Sequence, residues 1–484
     1  MSNAPASALP PQAQCLVAAG LQSRILTPGD VEYSQRNDSY WCNSAKLHPA
    51  CIVQPRSAGE VAAAVKALAG AEQAFAIRAG GHTNWAGSNN IDGGVTIDLG
   101  LINGTTYDTV TATANIGPGA KWKHIYEEFE KHGRVVAGGR EAEVGAGGFL
   151  LGGGNTFYSA RYGFACDNVL AYEVVLGDGR IITADADGEH ADLFRVLKGG
   201  SNNFGIVTQF TMRTFPSGPI WGGYVVRPME IMPAAAEAIV NFTAGTSKDL
   251  DSSLNISLCY VPRFGGNVVV AICNNVAGVE NPPAFHEFQK MPEIINNFKM
   301  TTLQEVLPYA SLPPNYFNIW YTLSFKNDAS IIAKAYELFN QLTSKAQEKV
   351  ADGDFATHCS FQPIPREYSQ QSIANGGNVL GLDRYPHDAI MIQVNLSVRT
   401  QELANWARPQ VREMVEGIRK FAETIDGGVC PWLYLNYASP DQKVLESYGK
   451  ENVEKMRKAA AKYDAGGVFQ RLCPGGFKIS SVRG

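Results

Sequence analysis

Two adjacent glycines, an arginine and a histidine crowd into one turn of this chain, Arg78-Ala79-Gly80-Gly81-His82-Thr83, directly after the strand-like run Phe75-Ala76-Ile77. Without a Cβ, Gly80 and Gly81 let the backbone reach positive φ and approach a ligand closely, so successive N–H groups converge on an anion such as a pyrophosphate. Arg78 adds a fixed cation with a fork of donors. His82 brings a nucleophilic imidazole, which a bound dinucleotide needs only if something reactive lies beside it. Further along, Val144-Gly145-Ala146-Gly147-Gly148 and Gly152-Gly153-Gly154 permit close backbone approach again, and Asn155 adds a polar side chain. Part of that stretch can be forced towards a nicotinamide-dinucleotide Gly-x-Gly pattern, but it lacks the strand and the downstream acid that such a fingerprint requires. Near the end, Tyr434-Leu435-Asn436-Tyr437 carries two phenols. By itself Tyr437 also reads as a core tyrosine with a satisfied hydroxyl.

Taken in order, these pieces resemble the FAD-linked oxidases of the vanillyl-alcohol oxidase/berberine bridge enzyme superfamily, in the style of fungal members. The loop at Arg78 is similar to their Arg-Ser-Gly-Gly-His-Ser loop. Gly138-Gly139-Arg140, Tyr162-Gly163-Phe164-Ala165-Cys166-Asp167-Asn168-Val169 and Phe204-Gly205-Ile206-Val207-Thr208 also match, so the resemblance runs along almost the whole chain. It implies FAD, held by Arg78, Ala79, Gly80, Gly81, His82, Thr83, Gly87, Gly139, Val144, Gly145, Gly148, Gly152, Gly153, Asn155, Gly205, Ile206, Val207, Tyr434 and Asn436. The imidazole of His82 would carry a covalent bond to the 8α-methyl of the flavin. Many relatives make a second bond through a cysteine three residues before the Val-Gly of the second loop. Glu141 stands there, so a single bond is expected. Where relatives often place a histidine near the flavin pyrimidine, this chain has Phe149, and another donor must stabilise the reduced anion. Gly139 aligns with the position that controls oxygen access in relatives, where a glycine leaves the route open and favours oxidase behaviour. Tyr437 would take a substrate proton. A free tyrosine has a pKa near 10, so such a role asks the site to favour the phenolate.

Composition narrows the partners. With 484 residues, 45% hydrophobic and 18% charged, the chain has globular composition and length enough for two or three domains. A formal net charge of −5 and the lack of a basic run argue against nucleic acid or an anionic membrane surface. No run approaches the roughly 18 apolar residues of a membrane span. Met1 to Pro11 is rich in Ala, Pro and Ser without an apolar core, so it reads as a flexible leader and an intracellular location is expected. The nine cysteines have no zinc spacing, no metal site emerges from the histidines, and Cys42 and Cys51 are near enough in sequence to bridge in an oxidising compartment.

The elements that must position these groups change character near Pro216-Ser217-Gly218-Pro219. Before it, strands at 50–55, 75–78, 94–99 and 111–116 mix with helices at 58–69 and 122–131, and Gly177-Asp178-Gly179 turns a hairpin. Ser57 and Glu60 form a capping box. After it come longer alternating strands at 254–261, 268–273, 316–325 and 390–398, with helices at 229–242, 329–349 and 401–418. Ile390, Ile392, Val394, Leu396 and Val398 should face helices, leaving Gln393 and Asn395 on a polar face that, with Trp320 and Tyr321, would line a substrate pocket. The fold class is therefore α+β: an FAD-binding domain over 1–215 (core about 46–215), an antiparallel-sheet substrate domain backed by helices over 216–425, and a segment 426–484 returning to the first domain. The expected function is an FAD-dependent oxidase that transfers hydride from a small or medium organic substrate and returns electrons to O₂. The alternative is a relative using FAD as scaffold for a non-redox cyclisation or isomerisation. Substrate and oligomeric state are left open.

Overall fold

The computed structural model describes residues 9–261, 266–310 and 313–483. The first layer is built from β1 (Ile25–Leu26), α1 (Val31–Asp38), β2 (Cys51–Val53), α2 (Ala58–Gly70), β3 (Phe75–Arg78) and β4 (Val95–Asp98). Its strands lie in the order β1-β2-β4-β3, with β4 parallel to both β2 and β3. The Ser57 hydroxyl caps α2 by accepting from the Glu60 N–H (3.3 Å). The reciprocal half of the box is absent: the Glu60 carboxylate takes the Arg56 N–H (2.8 Å) and the Arg24 guanidinium instead. Val61, Ala64, Val65 and Leu68, spaced at three and four residues, are the buried face of α2 and share a core with Val53, Phe75, Val95 and Ile97 of the sheet.

A second, antiparallel sheet follows from β5 (Thr105–Asp108), β6 (Thr113–Ile116), β7 (Val169–Val175), β8 (Ile181–Asp185) and β9 (Ile206–Arg213), in the order β5-β6-β9-β7-β8. β7 and β8 pair across the Gly177-Asp178-Gly179 turn. Between β6 and β7 run α3 (Trp122–Glu130) and the short α4 (Ala146–Leu151).

The third layer is a nine-stranded sheet, whose long members are β10 (Ile220–Pro228), β11 (Ser252–Val261), β12 (Gly266–Asn275), β13 (Phe317–Lys326), β14 (Ala356–Ile364) and β15 (Ala389–Val398). They lie antiparallel in the order β10-β12-β11-β14-β15-β13. The Gly265-Gly266 turn expected between β11 and β12 falls partly outside the described residues. Helices α5 (Met232–Ala244), α6 (Ala329–Lys349) and α7 (Gln401–Ala422) cover one face, where Ile390, Ile392, Val394, Leu396 and Val398 join Ile256, Leu258, Cys359 and Phe361 in one core. Each such aliphatic side chain contributes about 1.5–3 kcal/mol on burial. The opposite face carries Asn255, Ser257, His358, Ser360, Gln362 and Gln393, and it looks towards the first two layers. The C-terminal residues return to the first sheet, where Phe75 N–H donates to Leu472 O (2.7 Å). Cys42 and Cys51 do not bridge. Cys42 packs with Trp41 and Trp320, whereas Cys51 lies in the core beneath α2, and both are free thiols. Among the described residues no helix is long and apolar enough to cross a membrane.

Candidate active site

β3 delivers the glycine pair to the floor of a cavity of about 1100 Å³ between the first two layers and the polar face of the large sheet. Gly81 takes φ +74°, a conformation that costs other residues strain. Gly80 is glycine for a different reason: a Cβ there would stand 2.6 Å from the Cα and N of Gly145. The two loops thus touch backbone to backbone, and both line the cavity together with Ala79, His82, Thr83, Val144 and Gly148. His82 is half-buried, and its imidazole forms no hydrogen bond with any described residue. Burial, with Lys121 adding its repulsion, pushes that imidazole down to about 3, so it is neutral with a free lone pair. Its flat face stacks on Trp41, centroids 4.5 Å apart.

The C-terminal segment closes the other side. Tyr434 is wholly buried, and its hydroxyl accepts from the Asn155 N–H (2.8 Å) and Asn436 Nδ2 (3.0 Å); burial beside Tyr437 keeps it a neutral phenol. Asn436 Nδ2 also donates to Phe149 O (3.2 Å), which ties this segment to the second glycine loop. The Tyr437 ring stands edge-on to Tyr434 (4.8 Å) and to Trp320 (5.9 Å). Its hydroxyl lies 3.3 Å from Arg140 Nη2 and 3.3 Å from Gln362 Nε2, while Arg140 Nη2 also donates to Gln362 Oε1 (2.5 Å). Arg140 has no carboxylate partner among the described residues. An uncompensated guanidinium beside a phenol oxygen is the arrangement that a proton transfer to that phenol's conjugate base would use.

Beyond Tyr437 the cavity widens. The sheet supplies His358 and Gln393 and, from β10 and β12, the aromatic and apolar Tyr224, Val226 and Ile272; Val306 and Tyr309 add to the same lining. His358 Nε2 stands 3.4 Å from Gln393 Oε1 and its Nδ1 3.3 Å from Asn395 Nδ2. Since the Asn395 amide can only donate through Nδ2, Nδ1 of His358 is the acceptor and Nε2 carries the proton. Burial holds this imidazole neutral as well, pushed down to about 4.

Several expected site residues lie elsewhere. Arg78 does not reach the cavity: its guanidinium stacks on the Tyr40 ring (3.6 Å) and donates to Ser39 Oγ (2.8 Å), so it fixes the end of α1 beneath the loop. Gly87 sits in a turn outside the cavity wall, its carbonyl packed against Gly475. Gly152 and Gly153 also stand behind the wall, where a Cβ at Gly152 would run into Asn436 Oδ1 and Gly153 has φ +106°. Tyr321 alternates with Trp320 on β13 and therefore points to the helix side, its hydroxyl on Asp441 (2.7 Å); Trp320 alone lines the cavity. Asn395 lies beneath His358 and not on the surface. Gly139 lines the cavity, yet its missing Cβ points at Trp122 and not into open space. Ile206 and Val207 line the wall beside Gly205, where a Cβ would press on Val174 and Val175. The sequence reading passed over Arg140, Gln362, His358 and Trp41. Arg140 was in plain view inside the Gly-Gly-Arg segment, and the others needed the sheet register or the fold.

A model of the FAD binding domain matches residues 49–185. An FAD-dependent monooxygenase of Aspergillus calidoustus is 35% identical over 478 residues, covering 97% of this chain and 91% of the relative. One of Emericella nidulans is 38% identical over 468 residues, covering 94% and 96%. The chain belongs to the FAD-linked oxidoreductases of the vanillyl-alcohol oxidase/berberine bridge enzyme-like superfamily. The fold agrees. 6-Hydroxy-D-nicotine oxidase from Arthrobacter nicotinovorans superposes with a TM-score of 0.76 at 18% identity, covering 94% of this chain and 97% of that one. A carbohydrate oxidase from Microdochium nivale gives 0.73 at 23%, with the same coverage.

The residues of this flavoenzyme fit its cofactor. The Gly80 and Gly145 contact leaves backbone, with no side chain between, facing the cavity floor, and Gly205, Ile206 and Val207 leave backbone groups at the far end. The imidazole of His82, with no hydrogen bond among the described residues, lines the same cavity.

Proposed function

We propose that this flavoenzyme is an oxidase that removes two electrons from an alcohol, sugar or specialised metabolite and passes them to O₂, with its flavin bound through a single covalent bond to His82. The observation that carries the reading is the pairing of two groups in one cavity: a neutral imidazole on the flavin loop and a tyrosine hydroxyl held by a guanidinium, the first with no hydrogen bond and the second with no carboxylate partner among the described residues. Bound flavin supplies the acceptor for the electron pair of a substrate C–H bond and hands it to O₂ as H₂O₂. Everything else falls to the chain. Tyr437 accepts the substrate hydroxyl proton, and Arg140 and Gln362 hold its oxygen in place and offset the negative charge. Gln362 is itself fixed by Ser360 Oγ (3.3 Å) and Asn155 Nδ2 (3.2 Å). The aromatic and aliphatic wall excludes water from the reacting centre. Asp354, which also lines the cavity, is engaged by Arg399 Nε (2.7 Å) and the Tyr316 hydroxyl (2.7 Å). A substrate with a neutral or acidic O–H therefore suits this cavity better than an ammonium.

Glu141 takes the place where a second flavin-linking cysteine would stand, and its carboxylate accepts from the N–H groups of Glu143 (2.9 Å) and Val144 (2.8 Å) to hold the second glycine loop. The test is a denaturing mass spectrum of the yellow protein with peptide mapping. A mass raised by one FAD on the His82 peptide is the expected result; FAD released by acid overturns the covalent bond. The names of the curated relatives favour a second reading, insertion of an oxygen atom into the substrate. Turnover under ¹⁸O₂ separates the two: label in H₂O₂ alone supports the oxidase, and label in product supports the monooxygenase.

A further inference from the structure

Trp41 lies outside every glycine-rich segment and outside the residues that the FAD binding domain model matches, yet it carries the flat face of His82. The two planes are 14° from parallel. The indole also meets Trp320 of β13 in edge geometry, at 5.3 Å and 61°, so the ring touches both the flavin loop and the large sheet. Its backbone is stitched to both. Trp41 N–H donates to Gly81 O (3.2 Å), Asn315 N–H donates to Trp41 O (3.0 Å), and the Cys42 backbone pairs in parallel with that of Tyr316. Only 9% of Trp41 and 8% of Trp320 is exposed. The indole is therefore a fixed plane, set by contacts on two layers.

A histidine side chain turns about two bonds, and the second of these is soft. His82 has no hydrogen bond among the described residues to stop that rotation, and its stack on Trp41 sets the plane in which its ring nitrogens lie. We infer that Trp41 is the positioning residue for His82, holding the imidazole in the one plane from which a ring nitrogen reaches the 8α carbon of the flavin. The inference rests on the covalent reading above. The attachment forms one N–C bond and breaks one C–H bond at that carbon and one N–H bond on the imidazole. The electron pair stays with the flavin until O₂ takes it, and the two hydrogens leave as H₂O₂. Trp41 takes no part in the bonds. It raises the fraction of time the nucleophile spends in line with its target, which is where an oriented group gains over a rotating one.

The experiment compares wild-type holoenzyme with Trp41→Phe, Trp41→Leu and Trp41→Met, measuring total bound flavin, the share that stays with acid-precipitated protein, and the rate at which that share grows on incubation with FAD in air. Trp41→Leu and Trp41→Met are expected to bind FAD but to attach it about tenfold more slowly or worse. Trp41→Phe, which keeps a flat ring, is expected to stay within about threefold of wild type. A merely structural role would instead lower total flavin in step with the covalent share, and would not be rescued by phenylalanine. Should the leucine variant fail to fold, the unbranched methionine decides by the same measurement. Wild-type attachment rates in both apolar variants overturn the inference while leaving the covalent reading intact; acid-releasable flavin in the wild type overturns both.

Discussion

Alanine at Gly139 separates two explanations of that glycine. If the glycine holds a path for oxygen open, alanine should leave the fold alone and slow reoxidation. The geometry says otherwise. A Cβ on Gly139 would stand 2.5 Å from Trp122 Nε1, against the roughly 3.5–4.0 Å at which uncharged atoms rest, so the indole must give by about 1 Å. It has little room, being fully buried and packed against Tyr126 (5.9 Å) and edge-on to Phe149 (5.1 Å). Overpacking of this kind costs about 1–3 kcal/mol. At about 2 cal/mol/K per residue, a chain of 484 residues has an unfolding entropy near 1 kcal/mol/K, so the midpoint should fall by about 1–3 °C. Thermal unfolding at matched scan rates, alongside stopped-flow reoxidation of the dithionite-reduced protein, reads both quantities. The expected outcome is a lowered midpoint with reoxidation within about twofold of wild type. An unchanged midpoint with reoxidation slowed tenfold would refute the packing argument and restore the oxygen gate.

Tyr437→Phe should retain its flavin and lose about 10²- to 10⁴-fold in the rate of flavin reduction by substrate, because the ring contacts survive and the proton acceptor does not; unchanged reduction removes Tyr437 as base. Gly80→Ala should fail to accumulate as yellow protein, since its methyl meets the Gly145 backbone, which cannot swing aside as a side chain would; full flavin content in that variant would mean the two loops are not in contact. His358 gives a signed pH effect. Its folded-state value is pushed down to about 4, whereas an unfolded histidine titrates near 6.5. Between those values the unfolded chain binds a proton that the folded chain refuses, so stability falls as pH drops through the window, by up to about 1.4 kcal/mol per pH unit. Asp464, raised to about 6 by burial, acts with the opposite sign but is common to both proteins compared. Urea unfolding of wild type and His358→Gln from pH 7 to pH 4 should therefore give a shallower loss for the variant; parallel curves contradict a neutral buried His358.

The amino-acid sequence by itself determined the local geometry. Helix α2 begins at Ser57 because a hydroxyl there meets an orphan N–H. β15 sorts its apolar and polar residues onto two faces because successive side chains alternate. The strand entering the Gly80-Gly81 loop lies where the sequence puts it. These are effects of residues within a few positions of one another. What lay across long separations was decided by packing. β14 carries His358, Ser360 and Gln362 on alternate positions, but Pro363 argues against a central strand; the structure accommodates it because pairing with β11 ends at Phe361, so no neighbour on that side needs the missing N–H. Arg78 has the charge to bind a phosphate and the neighbours to be drawn under the loop instead, and only the approach of Tyr40, just past the end of α1, chooses between them. Tyr321 and Trp320 are adjacent in sequence and end on opposite faces, with the register against Asn395 and Val394 deciding which one meets the cavity. The partnership of Arg140 with Tyr437 spans 297 residues. No spacing encodes it, because it exists only once the C-terminal segment has folded back across the glycine loops.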